Sequence, residues 1–218
     1  MDWEMGLLYG GVGGIRRQTG RWGAFRGKAM MTTSDDRVKE MRVLVLHAHP
    51  APRRSRVNAA MLAAARGVEG VTVRELYEEY PDFFIDVKAE QEVVAAHDVV
   101  VMQHPFYWYA TPALVKEWFD LVLTPGWADG EGGTALRGKR WMHAVSTGGA
   151  AESYGPGSVH GFTVRELMAP LEATARLCGM EYLAPFLVQG AGRLSGEEIG
   201  EWACRYAARL AELRHGEF

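Results

Sequence analysis

Residues 42–58 read RVLVLHAHPAPRRSRVN, and the rest of the chain falls into place around this stretch. Its first six residues, Arg42 to His47, form a short apolar run with β-branched valines, closed by a loop containing Pro50 and Pro52. Such a run reads as a buried first strand, and Val57 to Arg66, rich in Ala and Leu, reads as the helix that follows. Downstream, Val71 to Leu76 alternates as a second strand ended by Tyr80-Pro81-Asp82. A short helix is expected near Ala89 to Ala95, and Asp98 to Gln103 (DVVVMQ) is a third strand, apolar enough to be covered on both faces. Pro112 opens a helix to about Val122 with Leu114, Trp118, Leu121 and Val122 on one side. After a glycine-rich loop from Pro125 to Gly138 come a fourth strand, Arg140 to Ser146, and a long helix from His160 or Phe162 to Leu177. Tyr182 to Gln189 is the fifth strand, and Ser195 to Leu213 is a closing helix started by a capping box of Ser195 and Glu198. Strands alternating with helices at this spacing need crossover connections, hence an α/β fold with a parallel sheet and helices on both faces. Such sheets bind ligands at the carboxyl ends of their strands. The loops after strands one, three and four are therefore where chemistry is sought.

The 218 residues suit one domain, and 48% apolar and 23% charged residues with a formal charge of −3 describe an ordinary globular protein with no polyanion or nucleic-acid partner. The two cysteines, Cys178 and Cys204, have no metal-site spacing and read as reduced thiols, which fits a cytoplasmic protein without a metal. No apolar run is long enough to span a bilayer, and the chain is expected to be soluble. Residues 1 to 40 differ from the rest: Gly10, Gly11, Gly13 and Gly14 crowd together, and Arg16, Arg17, Arg21, Arg26 and Lys28 follow without an acid among them. With Met30, Met31 and Met41 available as starts, this segment reads as a disordered or spurious extension, and residues 41 to 218 as the domain.

After strand one, Ser55 and Asn58 flank a helix start, where unpaired N–H groups and the helix dipole favour an anion such as a phosphate. The bland reading is that Ser55 caps the helix and His49 packs in the turn. Neither GxxxxGK[ST] nor GxGxxG follows the strand, which argues against a nucleotide hydrolase or a Rossmann dehydrogenase. After strand three, Phe106, Tyr107, Trp108 and Tyr109 are four consecutive aromatics that cannot all face one core. A flat conjugated ligand would cover them, and so would a dimer interface. After strand four, Ser146-Thr147-Gly148-Gly149 lets the backbone approach a ligand. Tyr154 and His160 beyond it could polarise a substrate, or could be structural.

Six ordered motifs accompany these loops: HAHPxPxxSxxN from His47 to Asn58, LYxxYPDFxID from Leu76 to Asp86, QHPxxWY from Gln103 to Tyr109, PxLxKxWxD from Pro112 to Asp120, GWAxGxGGTALxGK from Gly126 to Lys139, and TGG at Thr147. On these the chain from about Met41 onward resembles the flavodoxin-like NAD(P)H:quinone oxidoreductases of the diaphorase type, in particular the ancillary oxidoreductase subunit of bacterial glutathione-regulated potassium-efflux systems. The resemblance implies a flavodoxin-like three-layer α/β/α sandwich on a five-stranded parallel sheet of order 2-1-3-4-5. It implies that His49, Ser55 and the backbone of Arg56, Val57 and Asn58 hold a flavin phosphate. Phe106, Tyr107, Trp108 and Tyr109 would line the isoalloxazine, and Ser146, Thr147, Gly148 and Gly149 would meet its polar edge. Tyr154 and His160 would be the catalytic pair beside the flavin. The cofactor implied is FMN, with FAD the alternative, since the C-terminal sequence that holds an adenine in larger members is not seen. NADH or NADPH would deliver hydride to the flavin, and a quinone-like acceptor would then take it from the same face. A homodimer sharing the site is implied, with the 126–138 loop completing the partner's pocket. The alternative function implied is a regulatory ancillary subunit of a membrane potassium-efflux antiporter, peripheral at the inner face of the membrane, with secondary redox activity.

Overall fold

Five consecutive residues, Val43–His47 (β1), have no appreciable contact with water, and the period of two inside this run decides which layer each one faces. Leu44 and Leu46 pack into one apolar cluster, Val43 and Val45 into the other. A strand buried on both faces is the signature of a sheet sandwiched between helix layers. In the computed structural model, residues 40–218 are described. The extension expected over residues 1 to 40 lies outside the described residues, Glu40 excepted.

From β1 the chain runs through α1 (Val57–Arg66), β2 (Val71–Glu75), the single turn α2 (Leu76–Glu79), α3 (Val87–Ala95), β3 (Val99–Pro105), α4 (Ala113–Val122) and β4 (Arg140–Ser146). It continues through α5 (Val164–Leu167), α6 (Ala169–Leu177), β5 (Glu181–Tyr182), β6 (Phe186–Val188) and α7 (Gly196–His215). The strands are parallel in the order β2-β1-β3-β4-β5, with β6 also on β4. The sequence order of connections reverses between β1 and β3, which places the ligand crevice of a doubly wound sheet at their carboxyl ends. One layer, with α1 and α7, joins Met61, Tyr206 and Leu210 to Val43, Val45 and Met142. The other joins Val94 of α3, Trp118 of α4 and Ala175 of α6 to Leu44, Leu46 and Trp141.

The elements follow their local chemistry. Asp86 caps α3 by accepting from the Ala89 N–H at 3.0 Å. Ser195 and Glu198 form the expected capping box of α7, and Gly216 ends it in the left-handed conformation at φ 79°. The long helix expected up to Leu177 is instead two helices broken at Met168. Pro170 lacks the N–H for a bond to Glu166 and its ring would strike that carbonyl in a continuous helix. The fifth strand is likewise two segments pairing β4 at its two ends, because Pro185 between them cannot donate to the ladder. Leu76 closes β2 into a helical turn, and Leu121 faces outward, its place in the buried stripe of α4 taken by Val115 and Phe119.

Candidate functional site

A cavity of about 490 Å³ opens where the loops after β1, β3 and β4 meet the residues after β6. The turn after β1 supplies His49, Ser55, Arg56, Val57 and Asn58 to its wall, and also Arg54. Phe106, Tyr107 and Trp108 come from the loop after β3, together with Pro105, and Ser146, Thr147 and Gly148 from the end of β4. Ala191 and Gly192 complete the wall. The sequence reading did not single out Arg54, Pro105, Ala191 or Gly192. Tyr109 and Gly149 lie just outside this wall, and Tyr154 and His160 sit behind Gly149.

On the cavity wall the short 3₁₀ turn Pro52–Arg54 leads the chain toward α1. The Asn58 N–H donates to Ser55 Oγ at 3.1 Å, so Ser55 does cap the turn. The N–H groups of Arg56 and Val57 find no acceptor among the described residues, and they are the unpaired first donors of a ten-residue helix. Asn58 acts differently from a surface ligand donor. It is buried, its Nδ2 donates to Ser146 Oγ at 2.7 Å, and its carbonyl accepts from Gln103 Nε2 at 3.0 Å. It therefore staples the start of α1 to the ends of β3 and β4, and its Oδ1 is buried without a partner. His49, also buried, accepts the Ala51 N–H on Nδ1 at 3.0 Å, which leaves Nε2 to carry its proton. Burial holds its pKa below the ordinary histidine value.

The aromatic loop after β3 makes a two-residue hairpin. Tyr107 and Ala110 exchange two backbone hydrogen bonds of 3.0 Å, and Trp108 and Tyr109 take φ 49° and 64° at the tip. Both central residues left-handed is a type I′ turn, normally built from Asn and Gly. Each non-glycine residue there costs about 1–2 kcal/mol, a strain of the kind that collects at ligand clamps. Phe106 turns inward against Val145, Val164 and Met168, whereas Trp108 is 93% exposed. Trp108→Gly is therefore expected to change stability by less than about 1 kcal/mol, as lost strain offsets added chain entropy, while it weakens ligand binding. Denaturant melts and ligand titrations read the two effects separately, and a large loss of stability would contradict the strain assignment.

The N–H groups of Trp108, Tyr109, Gly148 and Gly149 also find no acceptor among the described residues. Unpaired donors thus gather on or beside the wall of one cavity in two groups, which suits a phosphate at the start of α1 and the hydrogen-bonding edge of a flat ring along the loops after β3 and β4. Behind Gly149 the rings of Tyr154 and His160 lie 4.3 Å apart, and Tyr109 Oη is 3.1 Å from His160 Nδ1. A Cβ on Gly149 would fall 2.9 Å from His160 Nε2 and 3.0 Å from Tyr154 Cε2, so glycine is what lets these rings approach the backbone.

Buried histidines lie on β1, β3 and β4. Desolvation pulls the pKa of His47 and of His104 down to about 4, and that of His143 well below the usual value. With His47 neutral, its 3.8 Å separation from Glu75 is not an ion pair. An unfolded chain protonates these imidazoles near pH 6.5 while the folded chain does not. Unfolded protein then binds more protons, so stability is complete above pH 6.5 and falls as the pH drops toward 4, by about 1.4 kcal/mol per pH unit for each imidazole. Urea melts across that window measure the slope; a flat profile would contradict the burial of neutral imidazoles.

A doubly wound parallel sheet of order 2-1-3-4-5 with a cavity at the β1/β3 switch point defines the class of flavodoxin-like α/β proteins. The chain belongs to the family described as Flavodoxin-like fold, whose model matches residues 41–210. It is 47% identical over 170 residues to the glutathione-regulated potassium-efflux system ancillary protein KefF of Klebsiella aerogenes, an alignment covering 78% of this chain and 95% of the relative. The crystal structure of general stress protein 14 of Treponema denticola in complex with FMN is 39% identical with a TM-score of 0.76, covering 79% of this chain and 99% of that one. An NADPH-quinone reductase structure from P. pentosaceus is 32% identical with a TM-score of 0.71, covering 78% and 97%.

Proposed function

We propose that this protein is a flavin-dependent NAD(P)H dehydrogenase (quinone), with FMN in the cavity between α1 and the aromatic hairpin and a quinone-like acceptor following the nicotinamide on the exposed face. The observation that carries the reading is two groups of unpaired N–H donors around one cavity, one at the start of α1 and one on the loops after β3 and β4. The FMN complex of a 39% identical relative and the quinone-reductase relative supply the ligand and the reaction class.

When bound, the flavin supplies the acceptance and release of a hydride, and the protein supplies orientation and electrostatics. The Arg56 and Val57 N–H groups and the Ser55 hydroxyl would hold the phosphate, with the Arg54 and Arg56 guanidinium groups on the same wall balancing its charge. Gly148, Gly149, Trp108 and Tyr109 would offer N–H donors to the ring's polar edge, where negative charge grows on reduction. The Tyr109 hydroxyl can donate to His160 Nδ1, which leaves the His160 proton on Nε2 beside Gly149. Tyr154 and His160 thus place two polar hydrogens next to that edge, in the role of substrate and charge stabilisers.

Tyr154→Phe and His160→Gln are each expected to lower kcat about a hundredfold while FMN stays bound, the lower end of the range for a positioned proton donor. Stopped-flow reduction by NADPH and steady-state turnover with a quinone check this, and unchanged rates would make both residues structural. The function as a whole is tested by oxidation of NADH and NADPH in the presence of a quinone; a simple electron carrier would give essentially no turnover.

Exposed apolar side chains on the site loops, with Trp108 93% and Val159 89% exposed and Phe162 and Tyr109 half exposed, support a homodimer that covers them. Similarity to an efflux-system ancillary protein, at 47% identity, supports a second role as regulatory partner of a potassium-efflux antiporter. No helix among the described residues is long and apolar enough to cross a membrane. A cytoplasmic protein docking at the inner membrane face is the corresponding location.

A further inference from the structure

Two histidines in the heart of the sheet take no part in the site chemistry described above. His104 on β3 and His143 on β4 are both completely buried, and neither is among the candidate residues named from the sequence. His104 Nε2 lies 3.0 Å from His143 Nδ1, His104 Nδ1 lies 2.9 Å from the Pro105 carbonyl, and the Trp141 indole N–H donates to His143 Nε2 at 2.9 Å.

The two ends of this chain fix its direction. An indole N–H only donates and a carbonyl only accepts. His143 Nε2 must therefore be bare, His143 Nδ1 must carry its hydrogen and donate to His104 Nε2, and His104 Nδ1 must carry the hydrogen given to Pro105. Each imidazole is fully satisfied as a neutral Nδ1–H tautomer. The chain cannot relay protons, because Trp141 accepts none.

Its free end is a peptide unit of the cavity wall. The Pro105 carbonyl takes the His104 hydrogen bond, and the N–H of the same peptide, on Phe106, donates to the Ser146 carbonyl at 2.8 Å. That peptide is gripped at both polar ends immediately before the strained turn at Trp108 and Tyr109. We propose that His104 and His143 are positioning residues for the cavity: a one-way hydrogen-bond chain from Trp141 sets the Pro105–Phe106 peptide and so aims the aromatic hairpin at the flavin ring. The proposal rests on the reading of this cavity as an FMN site.

The test has two parts on the full-length chain. Long-range ¹H–¹⁵N correlation of the histidine rings should find His104 and His143 both as Nδ1–H tautomers, and Nε2–H for either overturns the chain. FMN titration should then show binding to His143→Leu weakened about tenfold, the scale of one lost buried hydrogen bond, with a shifted visible flavin spectrum. His143→Gln, whose amide can accept from Trp141 and donate to His104, should recover most of the affinity. A folded His143→Leu with unchanged affinity and spectrum overturns the positioning role and leaves the FMN site standing. Wild-type protein that binds no FMN overturns both. Should His143→Leu fail to fold, Trp141→Phe carries the test. It leaves both imidazoles and the Pro105 acceptor, which still holds them as Nδ1–H tautomers, but takes the donor from His143 Nε2, so unchanged tautomers with weaker FMN binding are expected, and a folded variant with unchanged affinity is the contrary result.

Discussion

Glu90→Ala should cost the protein about 3–5 kcal/mol, the range for a buried charge whose partner is removed. The Glu90 carboxylate on α3 is wholly buried and receives the Tyr80 hydroxyl and the Arg74 guanidinium on Oε1 and the Trp118 indole N–H on Oε2, each at 2.8 Å. Alanine would leave all three donors without that acceptor in a place where water does not replace it. The effect should reach the site, because Trp118 packs at 6.1 Å on Trp141, the donor that begins the histidine chain. Glu90→Gln keeps two acceptor lone pairs and should lose less. Urea melts at neutral pH decide the matter: a loss below about 1 kcal/mol, as at a surface ion pair, would show that the carboxylate does not hold this corner.

Replacing Ser55 and Asn58 together by alanine should weaken FMN binding by about a hundredfold, two or three charge-assisted or buried hydrogen bonds at about 1–1.5 kcal/mol each. The mechanism is positional for Asn58. Its amide ties α1 to Ser146, and without that tie the free N–H groups of Arg56 and Val57 no longer hold their distance from Gly148. Ser55 loses both its cap and its hydroxyl at the wall. Isothermal titration with FMN measures the change, and a double variant retaining wild-type affinity would refute the phosphate assignment.

Most of the architecture was legible because burial is written into contiguous residues. VLVL and VVVM are apolar at every position, which only a doubly covered strand needs. Two prolines mark where the reading overran: Pro170 splits one helix and Pro185 splits the last strand, and both signals were present locally. At the site, the strand-end rule located three of the four wall segments. The same rule applied to Gly190, Ala191 and Gly192 after the last strand would have located the fourth.

What could not be read are relations between distant residues. Asn58 looks like a ligand donor next to Ser55, yet its amide is spent on Ser146, 88 residues away. His104 reads as the first loop residue after a strand, but β3 runs two residues further and pairs it alongside Val145. Trp-Tyr carries no turn signal, so a type I′ hairpin at Trp108 and Tyr109 is visible only in the backbone. The closeness of Tyr109, Tyr154 and His160 depends on a bare Cα at Gly149, which spacing alone does not reveal.

The central claim is that loops at the carboxyl ends of the strands grip a single phosphorylated flavin. An absorbance spectrum of the purified protein, with mass identification of whatever denaturation releases, tests it most directly. The account predicts a yellow protein carrying FMN at about one per chain. A folded protein that is colourless and stays so after dialysis against FMN and FAD would contradict it.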